Sequence, residues 1–319
     1  MKTIGVLTSG GDAPGMNAAV RAVVRTAIAN GMTVKGIRCG YKGLMEDDII
    51  DLGARDVSDI IQLGGTMLYS ARSSRFKTEE GIADAIASCK KHGIEGIVVI
   101  GGDGSYRGAR DLSLRGIPCI GIPGTIDNDI ASTEYTIGYD TAMNTVIQMV
   151  DRLRDTCDSH ARCSVVEVMG RRAGYIAVNT GLAVGATAIL VPERENSVDD
   201  VIKKIEETRQ NGKKHFIVVV AEGIGGVDEM AKKIESVTGI ETRATVLGHV
   251  QRGGSPTLRD RVIASQMGYA AVNLLKDGIG NRVVAYKKGE IVDYDIYEAL
   301  NMTKSFDENI YTVADITSI

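Results

Sequence analysis

Two acid-bearing loops carry the clearest chemistry in the sequence. The loop Gly101-Gly102-Asp103-Gly104-Ser105 follows an aliphatic run at residues 97–100, and residues 123–129, with the sequence PGTIDND, follow another. Consecutive parallel strands bring their C-terminal loops to one edge of a sheet, so Asp103 could reach a metal ion while Asp127 faces an atom to be deprotonated. Glycine amides for phosphate, one carboxylate for Mg²⁺ and a second as base are the parts that phosphoryl transfer needs.

Both loops also have plainer interpretations. Asp103 could cap a helix that begins at Tyr106, and Asp127 and Asp129 could be turn-forming acids. The presence of both loops in one chain favours the functional interpretation. Glu222, directly after the apolar residues 216–220, is either the N-terminal cap of a helix or a ligand for a sugar hydroxyl.

A glycine-rich turn at residues 8–17, with the sequence TSGGDAPGMN, connects the first apolar run to a helix. Helix N-termini with closely approachable backbone bind anions, although glycines at such turns are often purely steric. The turn is not a Walker A loop, since Met16 stands where lysine is required. It is not a dinucleotide fingerprint either, since the second strand ends at Arg38-Cys39-Gly40 without an acidic residue for a ribose.

Three arginines stand at turns of small residues, where their guanidinium forks could bind phosphate oxygens. These are Arg72, Arg171 and Arg252. A further anion could be held by Arg21 and Arg25, four residues apart on one helix, together with the cluster Lys213-Lys214-His215. The plainer interpretation is that these are charges on solvent-facing surfaces.

Aliphatic runs that end at small-residue turns recur at residues 4–7, 97–100, 164–169 and 216–220. Near-continuous apolar strands are typical of parallel sheets covered on both faces. Residues 16–30 carry one apolar stripe and end at Gly31, which suits a left-handed helix cap, and Ser255-Pro256 predicts the start of another helix. The chain is therefore predicted to be α/β, with a second sheet beginning after Gly138.

Composition argues against several classes of protein. The 319 residues suffice for about two domains, and a net charge of −4 with interleaved acids and bases offers no basic patch for nucleic acid or anionic lipid. We expect no signal peptide, since an apolar strand begins almost at Met1, and no apolar run approaches the ~20 residues of a membrane span. A cytoplasmic protein without nucleic-acid or membrane partners is expected. The five cysteines lack metal-binding spacing and are expected to be reduced thiols in or near the core.

Four patterns, GGDGS, PGTIDND, MGR-x-AG and GHVQRGGSP, occur in this order along the chain. Together they resemble the bacterial ATP-dependent 6-phosphofructokinases of glycolysis. The resemblance implies a kinase that transfers the γ-phosphoryl group of ATP to the 1-hydroxyl of fructose 6-phosphate, as a homotetramer. It also implies two three-layer α/β domains with mainly parallel sheets and the active site in the cleft between them. The larger, nucleotide-binding domain would be residues 1–138 plus 251–302, and the smaller, sugar-phosphate-binding domain residues 139–250 plus 303–319.

The resemblance implies roles for residues at the matching positions. Asp127 would be the base that takes the hydroxyl proton, Asp103 would hold Mg²⁺, and Thr125 and Arg171 would stabilise the phosphoryl group in flight. The implied catalytic set is Asp127, Thr125, Arg171, Arg72 and Gly11. The residues implied for the nucleotide and its metal are Gly11, Tyr41, Arg72, Ser73, Gly102, Asp103, Gly104, Ser105 and Gly108. Those implied for fructose 6-phosphate are Thr125, Ile126, Asp127, Asp129, Arg162, Met169, Gly170, Arg171, Glu222, Arg243, His249, Val250, Gln251 and Arg252. In the resembled family, a neighbouring subunit supplies the arginines at positions 162 and 243.

An effector site for ADP or phosphoenolpyruvate is implied at a separate set of positions. Its residues would be Arg21, Arg25, Asp59, Arg154, Gly185, Thr187, Asn211, Lys213, Lys214 and His215. The chain departs from the family pattern here, since Thr187 stands where many relatives have glutamate and Asn211 where a basic residue is usual. Ala161 replaces the glutamate that exchanges places with Arg162 in the resembled family, and Arg172 replaces an Asn or His. These departures predict intact chemistry and weaker regulation.

Three alternatives stay open at this point. In the pyrophosphate-dependent branch of the resembled family, an aspartate stands at the position of Gly104 and a lysine at that of Gly124. Both positions are glycine here, which favours ATP as the phosphoryl donor. NAD kinases share a GGDG loop but have no counterpart of GHVQRGGSP. A non-catalytic sensor of nucleotide or sugar phosphate would not need Asp127 beside Asp103.

Overall fold

The computed structural model describes residues 1–195 and 197–318. Its strands are β1 (Thr3–Ser9), β2 (Thr33–Ile37), β3 (Ile49–Leu52), β4 (Gly96–Gly101), β5 (Cys119–Pro123), β6 (Cys163–Val168), β7 (Ala188–Leu190), β8 (Phe216–Ala221), β9 (Thr242–Val246), β10 (Arg282–Lys287) and β11 (Glu290–Asp295). Its helices are α1 (Met16–Ala29), α2 (Gly40–Met45), α3 (Glu79–Lys91), α4 (Asp103–Ser113), α5 (Tyr139–His160), α6 (Tyr175–Ala183), α7 (Val198–Gln210), α8 (Val227–Thr238), α9 (Leu258–Lys276), α10 (Ile296–Asn301) and α11 (Glu308–Ile316). Short 3₁₀ helices cover Arg75–Lys77 and Gly248–Arg252.

The chain forms two compact units, each with its own sheet. Unit 1 comprises Met1–Ile126, Ile130–Thr141 and Arg252–Lys304, while unit 2 comprises Asp127–Asp129, Ala142–Gln251 and the residues from Ser305 onward. The sequence-based division differs at residues 127–129 and 251, which lie in unit 2, and at residues 139–141, 303 and 304, which lie in unit 1. The functions predicted for the two parts of the chain stay predictions.

Unit 1 is built on a seven-stranded sheet with the order β11-β10-β5-β4-β1-β2-β3. Its central strands are parallel, and antiparallel pairs with β3 and β11 close the two edges. Strand β4 is buried along its whole length because helices cover both faces of a parallel sheet. This arrangement places the loops after β1, β4 and β5 at the same edge, where the glycine-rich sequences lie.

Unit 2 has a parallel four-stranded sheet with the order β7-β8-β6-β9. Its apolar core combines the sheet with α7 and α8, around residues such as Val165, Val218 and Ile234. The α/β class with mainly parallel sheets is therefore confirmed in both units. The cysteines are free thiols, and all except the half-buried Cys39 are buried, as expected.

The structure excludes one alternative and corrects one predicted helix start. Helix α4 begins at Asp103 with Gly102 as its cap, so the plainer interpretation of Asp103 as a cap before Tyr106 is wrong. Helix α9 begins at Leu258, and its cap is Thr257, whose side chain accepts from the Asp260 amide, so Ser255-Pro256 precedes the helix. Helix α1 ends as predicted, with Gly31 in the left-handed region at φ 75°. Throughout residues 1–195 and 197–318, every helix is too short or too polar to cross a bilayer.

Candidate active site

The glycine-rich turn after β1 lies against the guanidinium group of Arg252. Gly10 and Gly15 have φ angles of 92° and 105°, which side-chain-bearing residues rarely adopt. A Cβ atom at Gly11 would lie 2.7 Å from Arg252 Nη1, and that nitrogen also donates to the Asp12 carbonyl at 3.3 Å. Two residues predicted to contact phosphates, Gly11 and Arg252, are therefore brought together within unit 1.

The GGDGS loop leads directly into the N-terminal turn of α4. Asp103 and Gly104 are exposed, and among the described residues no heavy atom lies within 4 Å of a Cβ placed at Gly102 or Gly104. Ser105 differs, since it is buried and its hydroxyl donates to the Ser9 carbonyl at 3.1 Å. The loop thus offers open space, helix-terminal amides and one exposed carboxyl group, while Ser105 ties it to the end of β1.

Tyr41 lies beneath this loop and is buried. Its ring stacks on Phe76 with centroids 4.1 Å apart, and its hydroxyl donates to the Ser105 carbonyl at 2.5 Å. Burial raises the pKa of Tyr41 well above its usual value, which keeps the hydroxyl a donor. A Cβ at Gly108 would lie 2.6 Å from the Tyr41 ring, so Gly108 is required for this packing. Nucleotide contacts by Tyr41, Gly108 and Ser73 stay predictions.

The loop after β5 is held by a neighbouring segment of unit 1. The Ile137 amide donates to the Pro123 carbonyl at 2.9 Å, and the Thr125 amide donates to the Ile137 carbonyl at 3.1 Å. The Thr136 hydroxyl donates to the Thr125 carbonyl at 2.6 Å. The backbone of Thr125 is therefore bound on both sides, and its contact with a transferred group stays a prediction.

Asp127 and Arg171 form an ion pair in unit 2. Arg171 Nε lies 3.3 Å from Asp127 Oδ2, and the Asp127 side chain is only 1% exposed while that of Arg171 is 53% exposed. Arg171 has φ 56° and follows Gly170 at φ 142°, a conformation in which a Cβ at Gly170 would press on the Ala173 carbonyl. This sharp turn aims the arginine at the carboxylate, so two predicted catalytic residues meet.

Glu222 and Gln251 fix the backbone of the same turn. Glu222 Oε1 accepts from the Gly170 amide at 3.3 Å and from the Arg171 amide. The side chain of Gln251 is fully buried, and its Oε1 accepts from the Met169 amide at 3.1 Å. Glu222 is therefore not a helix cap, since α8 begins five residues later at Val227 with Gly226 before it. Its role as a sugar ligand stays a prediction.

Arg162 and Arg243 share one carboxylate that the sequence analysis missed. Glu241 Oε2 lies 2.7 Å from Arg162 Nε, and Glu241 Oε1 lies 2.6 Å from an Arg243 terminal nitrogen. Hydrogen bonds from Arg162 and then Arg243 lower the pKa of Glu241. Parallel pairing of Cys163 with Thr242 explains the first contact, because it sets the two preceding residues side by side. Only knowledge of that register could have revealed Glu241. Of the other residues predicted for the sugar phosphate, His249 and Val250 are exposed on the 3₁₀ helix, Ile126 is buried and Asp129 is half-buried.

Part of the predicted effector set gathers in unit 2. Burial lowers the pKa of Lys213, and the charges of Arg154 and Lys204 lower it further, so three cations lie close together. Arg154 donates to the Val184 carbonyl, and His215 Nδ1 lies 3.0 Å from Asp158 Oδ1. Three other members of the set, Gly185, Asn211 and Lys214, are exposed to solvent. Thr187 is fully buried and so differs from them.

The unit 1 members of that set lie on and near α1. Arg25 donates to the Ser58 hydroxyl at 3.5 Å, and Asp59 follows with φ 55°. Arg21 is half-buried on the same helix. Arg72 belongs to the predicted phosphate contacts rather than to this set, and it is exposed. An effector bound at these residues stays a prediction.

Asp103 suits a Mg²⁺ ion that arrives with a nucleotide. In the described part of the chain, no three His, Cys, Asp or Glu side chains assemble into a ready-made cation site. Mg²⁺ in phosphoryl-transfer sites typically takes one or two carboxylates and completes its shell with phosphate oxygens and water. One exposed carboxylate beside an open glycine loop fits that donor set.

Comparisons with known proteins agree with this geometry. A family model described as Phosphofructokinase matches residues 3–275. The chain is 56% identical over 318 residues to an ATP-dependent 6-phosphofructokinase of Clostridium botulinum (strain Loch Maree / Type A3), with 100% of both chains covered. An ATP-dependent 6-phosphofructokinase of Clostridium tetani is likewise 56% identical with full coverage. The solved phosphofructokinase of Saccharomyces cerevisiae matches with a TM-score of 0.89 at 33% identity, covering 100% of this chain and 48% of the yeast chain.

Proposed function

The chain belongs to the phosphofructokinase family, and we propose that it transfers the γ-phosphoryl group of ATP to the 1-hydroxyl of fructose 6-phosphate. The products are fructose 1,6-bisphosphate and ADP. The observation that carries this proposal is the ion pair of Asp127 and Arg171, in which a buried carboxylate meets an exposed guanidinium 3.3 Å away. A base and a cation for the migrating phosphoryl group are thereby adjacent, which a protein that only senses metabolites does not need.

In the reaction, the Asp127 carboxylate accepts the proton of the attacking 1-hydroxyl. The Arg171 guanidinium opposes the negative charge on the phosphoryl oxygens, and its backbone is held in place by Glu222. Thr125, fixed by hydrogen bonds on both sides, orients the group that moves. Backbone amides of the two glycine-rich loops in unit 1 bind the nucleotide phosphates.

Asp103 would hold Mg²⁺ beside those phosphates. A Mg²⁺ ion held there would supply positive charge against the negative charge that develops during transfer. Asp103 itself stands in the first turn of α4, so its side chain reaches the same region as the helix-terminal amides.

Space in the GGDGS loop supports ATP over pyrophosphate as the donor. The open surroundings of Gly104 leave room for the nucleotide, whereas an acidic side chain there would project into that room. Gly124 is closely packed, since a Cβ there would lie 3.1 Å from side-chain atoms of Ile100 and Met16. A long side chain at position 124 would therefore have to displace its neighbours.

The proposal also includes three broader properties. The protein forms a homotetramer, it is located in the cytoplasm, and ADP and phosphoenolpyruvate regulate it through the region of Arg154 and Lys213. A coupled assay with ATP, Mg²⁺ and fructose 6-phosphate tests its central part. We expect turnover with ATP and little with pyrophosphate. Turnover with pyrophosphate alone would identify the alternative donor, and binding of both ligands without turnover would identify a sensor.

A further inference from the structure

Asp260 is a buried carboxylate that takes no part in the mechanism above. It is the third residue of α9 and is 0% exposed. Its Oδ1 accepts from the Tyr135 hydroxyl at 2.5 Å and from the Gly138 amide at 2.7 Å. Its Oδ2 accepts from the Thr141 amide at 2.9 Å and from the Thr141 hydroxyl. All four donors belong to one short segment, residues 135–141, far from Asp260 in sequence.

The carboxylate caps helix α5 and, through the Thr141 hydroxyl, is linked to the cap of α9. The amides of Gly138 and Thr141 lie at the N-terminus of α5, where amide donors have no partner within their own helix. The Thr141 hydroxyl also accepts from the amide of Thr257, the cap residue of α9, at 3.0 Å. Negative charge is favourable at both helix N-termini. Burial raises the pKa of Asp260, while the hydrogen bonds to Thr141 and Tyr135 oppose that shift.

The segment that Asp260 holds is the one that supports the candidate active site. Residues 136 and 137 bind the backbone of Pro123 and Thr125 through three hydrogen bonds. The same segment packs on the glycine-rich turn, since a Cβ at Gly15 would lie 2.7 Å from Ile137 and 3.4 Å from the Asp260 Cβ atom. A Cβ at Gly138 would lie 2.6 Å from that of Ala13. Displacement of the segment would therefore move both loops.

We propose that Asp260 is a positioning residue for phosphoryl transfer, which sets Thr125 and the glycine-rich turn through residues 135–141. The inference rests on the proposed function. Asp260 contacts none of the residues assigned to the reaction, so its effect would pass through its hydrogen bonds to residues 135–141 and through the packing of that segment. A misplacement on the order of 1 Å at reacting groups costs about a hundredfold in rate, which makes such support measurable.

The test compares Asp260→Asn with Leu275→Ala. The amide of asparagine keeps one oxygen acceptor but faces the Thr141 donors with an NH₂ group. Leu275 is fully buried near the other end of α9, and its truncation destabilises unit 1 without contacting the segment. At a temperature where both variants are folded, Asp260→Asn should lower kcat about tenfold to a hundredfold, with KM for fructose 6-phosphate nearly unchanged. Leu275→Ala should keep kcat within about twofold of the parent at a comparable loss of thermal stability.

Hydrogen exchange supplies a readout that does not depend on activity. Amides of residues 10–16 and 124–126 should exchange faster in Asp260→Asn than in Leu275→Ala. Equal kcat and equal exchange in the two variants would overturn the proposal. If Asp260→Asn does not fold, Tyr135→Phe and Thr141→Val remove single donors, and wild-type kcat in both would overturn it equally. Absence of turnover in the parent protein would refute the proposed function while exchange still tests the positioning role.

Discussion

The glycine-rich loops of unit 1 and the arginines of unit 2 offer different kinds of group to an anionic substrate. Unit 1 presents glycines with open surroundings at Gly102 and Gly104, so the phosphate-binding groups that we propose there are backbone amides. Unit 2 presents arginines that are already paired with acids, Arg171 with Asp127 and both Arg162 and Arg243 with Glu241. We therefore expect a long or charged side chain in the glycine loops of unit 1 to weaken nucleotide binding, whereas substitutions in unit 2 should act by changing the charges that the arginines face.

The largest effect is expected for Asp127→Asn in unit 2. This substitution keeps the size of the side chain but removes the base, so turnover should fall by roughly 10²–10⁴-fold. Affinity for fructose 6-phosphate and the midpoint of thermal unfolding should change little. Steady-state kinetics with a binding measurement provides the check, and near-normal turnover would exclude Asp127 as the base.

In unit 1, Gly104→Asp should act by filling space and adding charge. Two like charges 4 Å apart repel by about 4 kcal/mol at the dielectric near a protein surface, so ATP affinity should fall at least about tenfold. Gly104→Ala is the matched control, because the added Cβ meets open space and should leave ATP affinity nearly unchanged. If both variants bound ATP like the parent, the open space at Gly104 would have no part in selecting the donor.

Asp103→Ala should raise the Mg²⁺ concentration that the enzyme requires, and it should leave the affinity for fructose 6-phosphate unchanged. Without this carboxylate, Mg²⁺ keeps its phosphate ligands but loses its protein ligand, so the Mg²⁺ concentration for half-maximal rate should rise about tenfold. Asp103→Asn should give an intermediate shift because an amide oxygen is a weaker ligand. An unchanged Mg²⁺ titration in the alanine variant would assign the metal to other residues.

The smallest effect is expected for Glu241→Gln in unit 2. Loss of the shared carboxylate frees Arg162 and Arg243 for an incoming phosphate. Exposed ion pairs contribute little, so KM for fructose 6-phosphate should fall by no more than about fivefold. Because the pKa of Glu241 is lowered in the folded protein, the parent should keep these pairs as pH falls until it passes that lowered value. A rise in KM would show instead that Glu241 orients the arginines.

Local features of the fold and site could be predicted because they depend on neighbours in sequence. Apolar runs predicted β1, β4, β6 and β8, and Gly31 predicted the end of α1, since strand burial and left-handed caps are local properties. The plainer interpretation of Asp103 as a cap starts α4 three residues late, because the sequence does not show that the GGDGS loop itself enters the helix.

The sequence by itself determined which backbone positions could approach a phosphate, since the positions of the glycines, which carry no side chain, can be read from it directly. It also determined the acids and arginines that phosphoryl transfer needs. Only the tertiary structure decided which of these residues meet, because the contacts join positions remote in sequence: Thr141 and Asp260 lie 119 residues apart, and Arg162 and Glu241 lie 79 apart. Such pairings follow from strand order, register and burial, which no local pattern of residues specifies.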